Sequence, residues 1–261
     1  MIYITGARGL IGSRFKELYP EDVTEIIIRE YAPKNVFSSH EKSCLIHLGW
    51  SSTTRTNDPD QVEKDVINSR NIFNYYLEKN PNGKIIFLST AGNMHQTKDN
   101  RESIESSEPT PLSLYSQTKL RVEEILEQLN CNSVVLRVSN VWGSKVDENR
   151  VNGLVDKLIS SLDTDRVIEI YANLDTGVDL IHIDDLISLI LKVIDTDLDT
   201  NHELFLVGGQ SISLYDIIST VSKMGSLNLK LNQKGKEKFF VNIQPTKAER
   251  TFNWKREHYL Q

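Results

Sequence analysis

Short apolar runs alternate with longer stretches in which apolar residues recur at helical spacing, from the N-terminus to about residue 140. The runs Ile2 to Thr5, Glu25 to Ile28, Cys44 to Leu48, Lys84 to Ser89 and Ser133 to Val138 are rich in Ile, Leu or Val and predict strands. Between them, Leu10 to Tyr19, Asp60 to Lys79 and Leu112 to Leu129 predict helices. Asn80-Pro81-Asn82-Gly83 ends the second, and Pro109 and Pro111 precede the third. The alternation implies an α/β chain with a doubly wound parallel sheet.

After Val138 the pattern changes. A helix near Val151 to Leu162, a strand Val167 to Tyr171, another near Leu180, a helix Asp184 to Asp195 and a final helix Leu214 to Met224 predict a smaller C-terminal lobe. The expected division assigns 1–150 to the main domain and 151–261 mainly to the lobe, with a segment of about 165–200 returning to the core. Only residues 30–44 separate the second strand from the next clear one. A complete doubly wound half places a helix and another strand there, so that edge strand is expected to be short or absent.

Gly6-Ala7-Arg8-Gly9-Leu10-Ile11-Gly12 directly follows the first strand and opens a helix. Gly6 permits a tight turn, Gly9 lets the backbone approach a pyrophosphate, and Gly12 lets helix pack on strand, while the helix N-terminus offers N–H donors to an anion. The pattern predicts a Rossmann-like domain holding a dinucleotide.

Tyr115 and Lys119 stand one helical turn apart and project from one face. Tyr75 and Lys79 share that spacing, but in such folds helices begin at the carboxyl edge of the sheet, where ligands bind. Tyr115 falls in a first turn and Tyr75 in a last one, so Tyr115 takes the functional reading. Thr90 follows a strand at the same edge. A neighbouring ammonium, Lys119, and the positive nicotinamide ring both favour the phenolate of Tyr115, whose free pKa is about 10. Thr90 would bind a substrate oxygen, Tyr115 would give or take its proton, and a nicotinamide would exchange hydride with the attached carbon.

Composition narrows the partners. The 261 residues are 39% hydrophobic, enough for one large domain with a small lobe. A net charge of -6 with scattered acids and bases argues against nucleic acid, and the opening Met1-Ile2-Tyr3-Ile4 lacks the pattern of an export signal, so a cytoplasmic enzyme with no membrane partner is expected. Cys44 and Cys131 lie in strand-like runs and read as buried free thiols, and no metal site is assigned.

Several motifs occur in order: the glycine turn at Gly6, Leu45-Ile46-His47-Leu48-Gly49, Leu88-Ser89-Thr90-Ala91-Gly92, Tyr115-Ser116-Gln117-Thr118-Lys119 and Leu136-Arg137-Val138-Ser139-Asn140-Val141-Trp142-Gly143. In these the chain resembles the NAD-dependent epimerase/dehydratase family of extended short-chain dehydrogenases/reductases. The resemblance implies that Thr90, Tyr115 and Lys119 are catalytic. It implies substrate contacts at Thr90, Ala91, Gly92, Tyr115 and Asn140, and cofactor contacts at Gly6, Arg8, Gly9, Leu10, Ile11, Gly12, Arg29, Leu48, Gly49, Tyr115, Lys119 and Val138. It further implies a nucleotide-linked sugar as substrate and a homodimer built on the second and third predicted helices. Asp179-Leu180-Ile181-His182-Ile183-Asp184-Asp185 resembles the segment returning to the core, where Asp184 and Asp185 are read as helix caps, and Trp254 sits in a C-terminal phrase like the family's.

Departures bear on the reaction. Val178 stands where nucleotide-sugar members often carry an arginine for the diphosphate. Asp65 stands where an asparagine is common near the cofactor, and Met94 replaces a usual tyrosine beyond Thr90; neither is expected to touch the proton chemistry. Arg8 and Arg29 resemble the 2′-phosphate pair of NADP-using reductases, while Glu30 keeps NAD open. The chain reads as an NAD(P)-dependent enzyme at the sugar C4 position, a 4-keto reductase with NADP ahead of an NAD-retaining 4-epimerase. Ala91-Gly92 in place of an acidic pair argues against a dehydratase. A non-catalytic dinucleotide sensor is the alternative of another class, and the presence of Thr90, Tyr115 and Lys119 argues against it.

Overall fold

A computed structural model describes residues 1–21, 23–29, 31–143, 153–232 and 236–260. In chain order the first half forms β1 (Ile2–Thr5), α1 (Leu10–Leu18), β2 (Val23–Ile26), β3 (Cys44–His47), α2 (Pro59–Lys79), β4 (Lys84–Thr90), β5 (Gln96–Thr97), α3 (Leu114–Leu129) and β6 (Ser133–Val138). Next come β7 (Asn140–Trp142), α4 (Leu154–Ser160), β8 (Val167–Ile170), β9 (Gly177–His182), α5 (Ile183–Asp195) and β10 (His202–Val207). The chain closes with β11 (Gln210–Ser213), α6 (Leu214–Ser222), β12 (Asn228–Leu231), β13 (Phe240–Val241) and α7 (Thr246–Thr251).

The central sheet is six-stranded and parallel, in the order β10-β6-β4-β3-β1-β2. Side chains alternate between its faces. Ile4, Ile46, Ile86 and Val134 pack with Phe15 of α1 and Leu186, Leu189 and Ile190 of α5. Their neighbours Tyr3, Leu45, Ile85 and Val135 pack with Ile72, Phe73 and Tyr76 of α2 and Val122 and Leu126 of α3. Helices therefore cover both faces, as the doubly wound reading requires. Among the described residues no strand lies outside β2, in keeping with the short 30–44 segment.

Element ends shift for local reasons. β2 stops at Ile26 rather than Ile28 because its partner β1 ends at Thr5, opposite Ile26. β3 stops at His47 because the Leu48 and Gly49 N–H groups donate to Thr5 Oγ1. α2 begins at Pro59 under an Asp58 cap, and α3 begins at Leu114 under a capping box between Ser113 and Ser116, two residues later than the proline signal suggests. β10 and α7 have no predicted counterpart, so Leu214–Ser222 is not the last helix. The start of the helix predicted from Val151 lies outside the described residues.

The lobe has its own core of Val155, Leu158, Ile168, Ile170, Leu214, Ile217 and Val221. Between lobe and main sheet runs a second sheet, β11-β9-β13-β5, with β7 paired to β9. Asp184 and Asp185 do not cap α5. His182 is the cap, Asp184 pairs bidentately with Arg14 at 2.8 and 3.0 Å, and Asp185 holds the C-terminal segment through the His258 N–H and Nδ1. Trp254 is buried with its indole N–H donated to the Asp185 carbonyl. Cys44 and Cys131 are buried free thiols.

Candidate active site

β1 runs into Gly6, whose φ is +70°. A Cβ there would stand 2.7 Å from the Gly49 nitrogen, and one on Gly12 would stand 2.4 Å from the Gly6 carbonyl oxygen. Turn, helix and the exit of β3 thus touch backbone to backbone. No side chain caps α1 at Gly9. This cradle fits a dinucleotide's pyrophosphate, which needs close N–H donors and the positive end of a helix dipole.

A cavity of about 660 Å³ opens beside the cradle, lined by the expected residues Gly6, Arg8, Gly9, Arg29 and Gly49. Leu10 and Ile11 are half-buried in the first turn of α1, Gly12 is buried behind the turn, Leu48 is half-buried and Val138 is buried in β6. These do not line the cavity. Glu25, Trp50, Ser51, Lys64, Asp65 and Asn68 do, and of these the sequence reading placed only Asp65 near the cofactor. Lys64 and Asn68 share one face of α2, a signal that was available, whereas the approach of β3 to that face was not. Glu25 holds Arg8 and Lys16, each at 3.2 Å.

Behind the cradle, Thr5 Oγ1 accepts from the Leu48 and Gly49 N–H groups and lies 2.8 Å from His47 Nδ1. His47 Nε2 lies 3.0 Å from Ser69 Oγ, which donates to the Asp65 carbonyl. Burial, with Lys119 adding, holds His47 near pKa 3. A neutral ring satisfies this chain in one way: Thr5 donates to Nδ1 and Nε2–H donates to Ser69. Asp65 accepts from the N–H and Oγ of both Ser51 and Ser52, at 2.7 to 3.0 Å. Four donors suit an acceptor-only carboxylate and would leave an asparagine amide facing donors, which accounts for aspartate here.

Tyr115 and Lys119 leave the first two turns of α3 at the carboxyl edge, as expected, and Thr90 ends β4 at that edge. Lys119 is buried and donates to the Leu88 carbonyl at 2.7 Å, which ties it to the strand that carries Thr90. Its Nζ lies 3.8 Å from the Trp50 ring centre, 4.7 Å from that of Phe87 and 5.8 Å from that of Tyr115. Trp50 meets Tyr115 edge to face at 6.3 Å. Burial draws Lys119 down to about 7 against the attraction of Asp65 and Glu123, and burial and then Asp65 raise Tyr115 to about 12. Burial is the largest influence on both groups, and the charge of Asp65 acts on each.

Ala91 is fully buried, while Gly92 lies beside the exposed Asn140, whose amide donates to the Asp179 carbonyl at 3.0 Å. Beneath Thr90, Arg137 of β6 binds Glu123 of α3 at 2.7 Å; Glu123 also accepts from Ser89, and Arg137 reaches His95 at 3.2 Å. Burial, with Arg137 adding, takes His95 down to about 4.

Residues 2–208 match the family model described as the NAD dependent epimerase/dehydratase family. The chain belongs to this family. It is therefore an enzyme of the extended short-chain dehydrogenase/reductase type, a group that works with a nicotinamide dinucleotide. It is 26% identical over 208 residues to the dTDP-4-dehydro-6-deoxyglucose reductase of Escherichia coli, a match covering 76% of this chain and 62% of that relative's length. It is 24% identical over 248 residues to the GDP-6-deoxy-D-talose 4-dehydrogenase of Aggregatibacter actinomycetemcomitans, covering 89% and 82% of the two chains. Its fold matches the UDP-glucuronic acid 4-epimerase of Bacillus cereus in complex with UDP-glucuronic acid and NAD, with a TM-score of 0.78, 20% identity and 99% and 95% coverage.

Within the family's frame, Val178 is half-buried on β9 and packs against the lobe core. Met94 is fully buried, with its carbonyl accepting from the Thr110 N–H at 2.7 Å. Glu30 lies outside the described residues.

Proposed function

We propose that the chain is an NAD(P)-dependent oxidoreductase or epimerase of a nucleotide-linked sugar, working at C4, with NADPH-dependent reduction of a 4-keto group as its reaction. The observation that carries this reading is the tie from Lys119 to Leu88: it sets the Tyr115–Lys119 turn of α3 against the end of β4 at Thr90, on the edge where the glycine cradle opens. Gly6, Arg8, Gly9, Leu10, Ile11, Gly12, Leu48, Gly49 and Val138 would hold the dinucleotide, which when bound supplies or accepts the hydride. Thr90 would bind the substrate oxygen, with Ala91, Gly92 and Asn140 against the sugar. A phenol at about 12 is protonated throughout the neutral range, so Tyr115 is ready to donate to the oxygen of a carbonyl being reduced. Arg8 and Arg29 at the cavity wall support a 2′-phosphate.

A second reading rests on Glu25. It lines the same cavity and engages Arg8, and a carboxylate there suits the free ribose hydroxyl of NAD, the cofactor that a 4-epimerase retains. Titration with NADPH and NADH, followed by incubation with UDP-, dTDP-, GDP- and CDP-hexoses and their 4-keto forms, separates the two. Tight NADPH binding with oxidation on a 4-keto sugar is expected; sugar interconversion on retained NAD would give the reaction to the epimerase. Tyr115→Phe is expected to cut turnover by about 10²–10⁴-fold while keeping cofactor affinity. A wild-type protein that binds cofactor and turns over no sugar would return the chain to the sensor reading.

A further inference from the structure

Trp50 follows Gly49 at the exit of β3, where it lines the cofactor cavity and touches both members of the proton-transfer pair. Its Nε1 is buried and finds no hydrogen-bond partner among the described residues, so the polar end of the indole takes no part in holding the residue there. What the side chain presents is its ring: the face to Lys119 Nζ at 3.8 Å and an edge-to-face contact to Tyr115. An ammonium over an indole face is attracted by the ring quadrupole, most strongly where water is excluded, and Lys119 is buried.

We propose that Trp50 is a positioning residue for the proton-transfer pair, its indole face holding the Lys119 ammonium at the Leu88 carbonyl while its contact with Tyr115 fixes the phenol ring. The charged groups facing Lys119 are Asp65 from α2 and Glu123 from α3, with His47 from β3 and Tyr115 from α3 as titratable neighbours. Trp50 adds the aromatic face. The proposal rests on the activity read above, and its test begins without any substrate.

The chain has three tryptophans, so the difference in emission between wild type and Trp50→Phe isolates Trp50. That emission is expected to titrate near pH 7, where burial places Lys119, and to lose the titration in Lys119→Met. In Trp50→Leu the alkaline limb of the kcat/KM profile is expected to move to lower pH by about one unit, because the apolar side chain removes the attraction that favours the ammonium. Trp50→Phe, which keeps an aromatic face and guards against a folding defect in the leucine variant, is expected to restore most of the profile. A Trp50 emission that does not titrate, or that still titrates in Lys119→Met, overturns the proposal, as does an unmoved alkaline limb in Trp50→Leu. An intact emission titration in a protein that turns over no nucleotide sugar supports the contact and defeats only the reading of the activity.

Discussion

Lys119 is a charge that the fold buries among rings. Desolvation lowers its pKa to about 7, against about 10.4 in the unfolded chain. Between those values the unfolded chain binds the extra proton, so this side chain's contribution to stability rises with pH across the interval. Lys119→Met removes the titration. The melting-temperature gain of that variant over wild type is expected to be larger at pH 6 than at pH 9.5 in paired thermal scans; an equal difference at both would show that burial does not govern this group.

α3 is fixed to the sheet by a bracket rather than by packing alone. Glu123 and Arg137 are both about 5% exposed, and the pair links α3 to β6 while Ser89 brings in β4 and His95 the loop after Thr90. Removing one partner leaves a buried charge uncompensated, which costs about 3–5 kcal/mol. Glu123→Gln is expected to lose stability on that scale in urea unfolding, and a loss within the error of wild type would show that Arg137 finds another acceptor. The elements visible in the sequence were those whose signal is local. Val134, Val135 and Leu136 form a continuous apolar run, and Tyr115 and Lys119 announce themselves by spacing in a first turn. β10 carries its signal only in the short run 204–207 behind His202 and Glu203, and α7 is a short charged run with no hydrophobic period; β10 pairs along the edge of β6, and α7 leads into Phe252 beside Phe205. Asp65 could be set near the cofactor by resemblance, but Trp50 joined the site only when the exit of β3 met α2, a contact that no local pattern encodes.

At the scale of the whole molecule, α2 and α3 lie side by side, joined by the Arg121–Glu63 pair at 2.8 Å, with Ile67 of α2 exposed. We propose that two copies assemble through this helix pair into a homodimer. Light scattering at micromolar concentration is expected to give twice the chain mass, and a monomeric mass would dismiss the assembly. No described helix is long and apolar enough to cross a membrane.

The sheet ends at β2, a strand of four residues. A sheet edge is a template on which another chain can pair, and the hazard grows with the length and flatness of the strand that forms it. β2 is short, carries a carboxylate engaged by two cations, and offers few outward-facing backbone groups. On this side the sheet therefore leaves little for a neighbouring chain to stack upon.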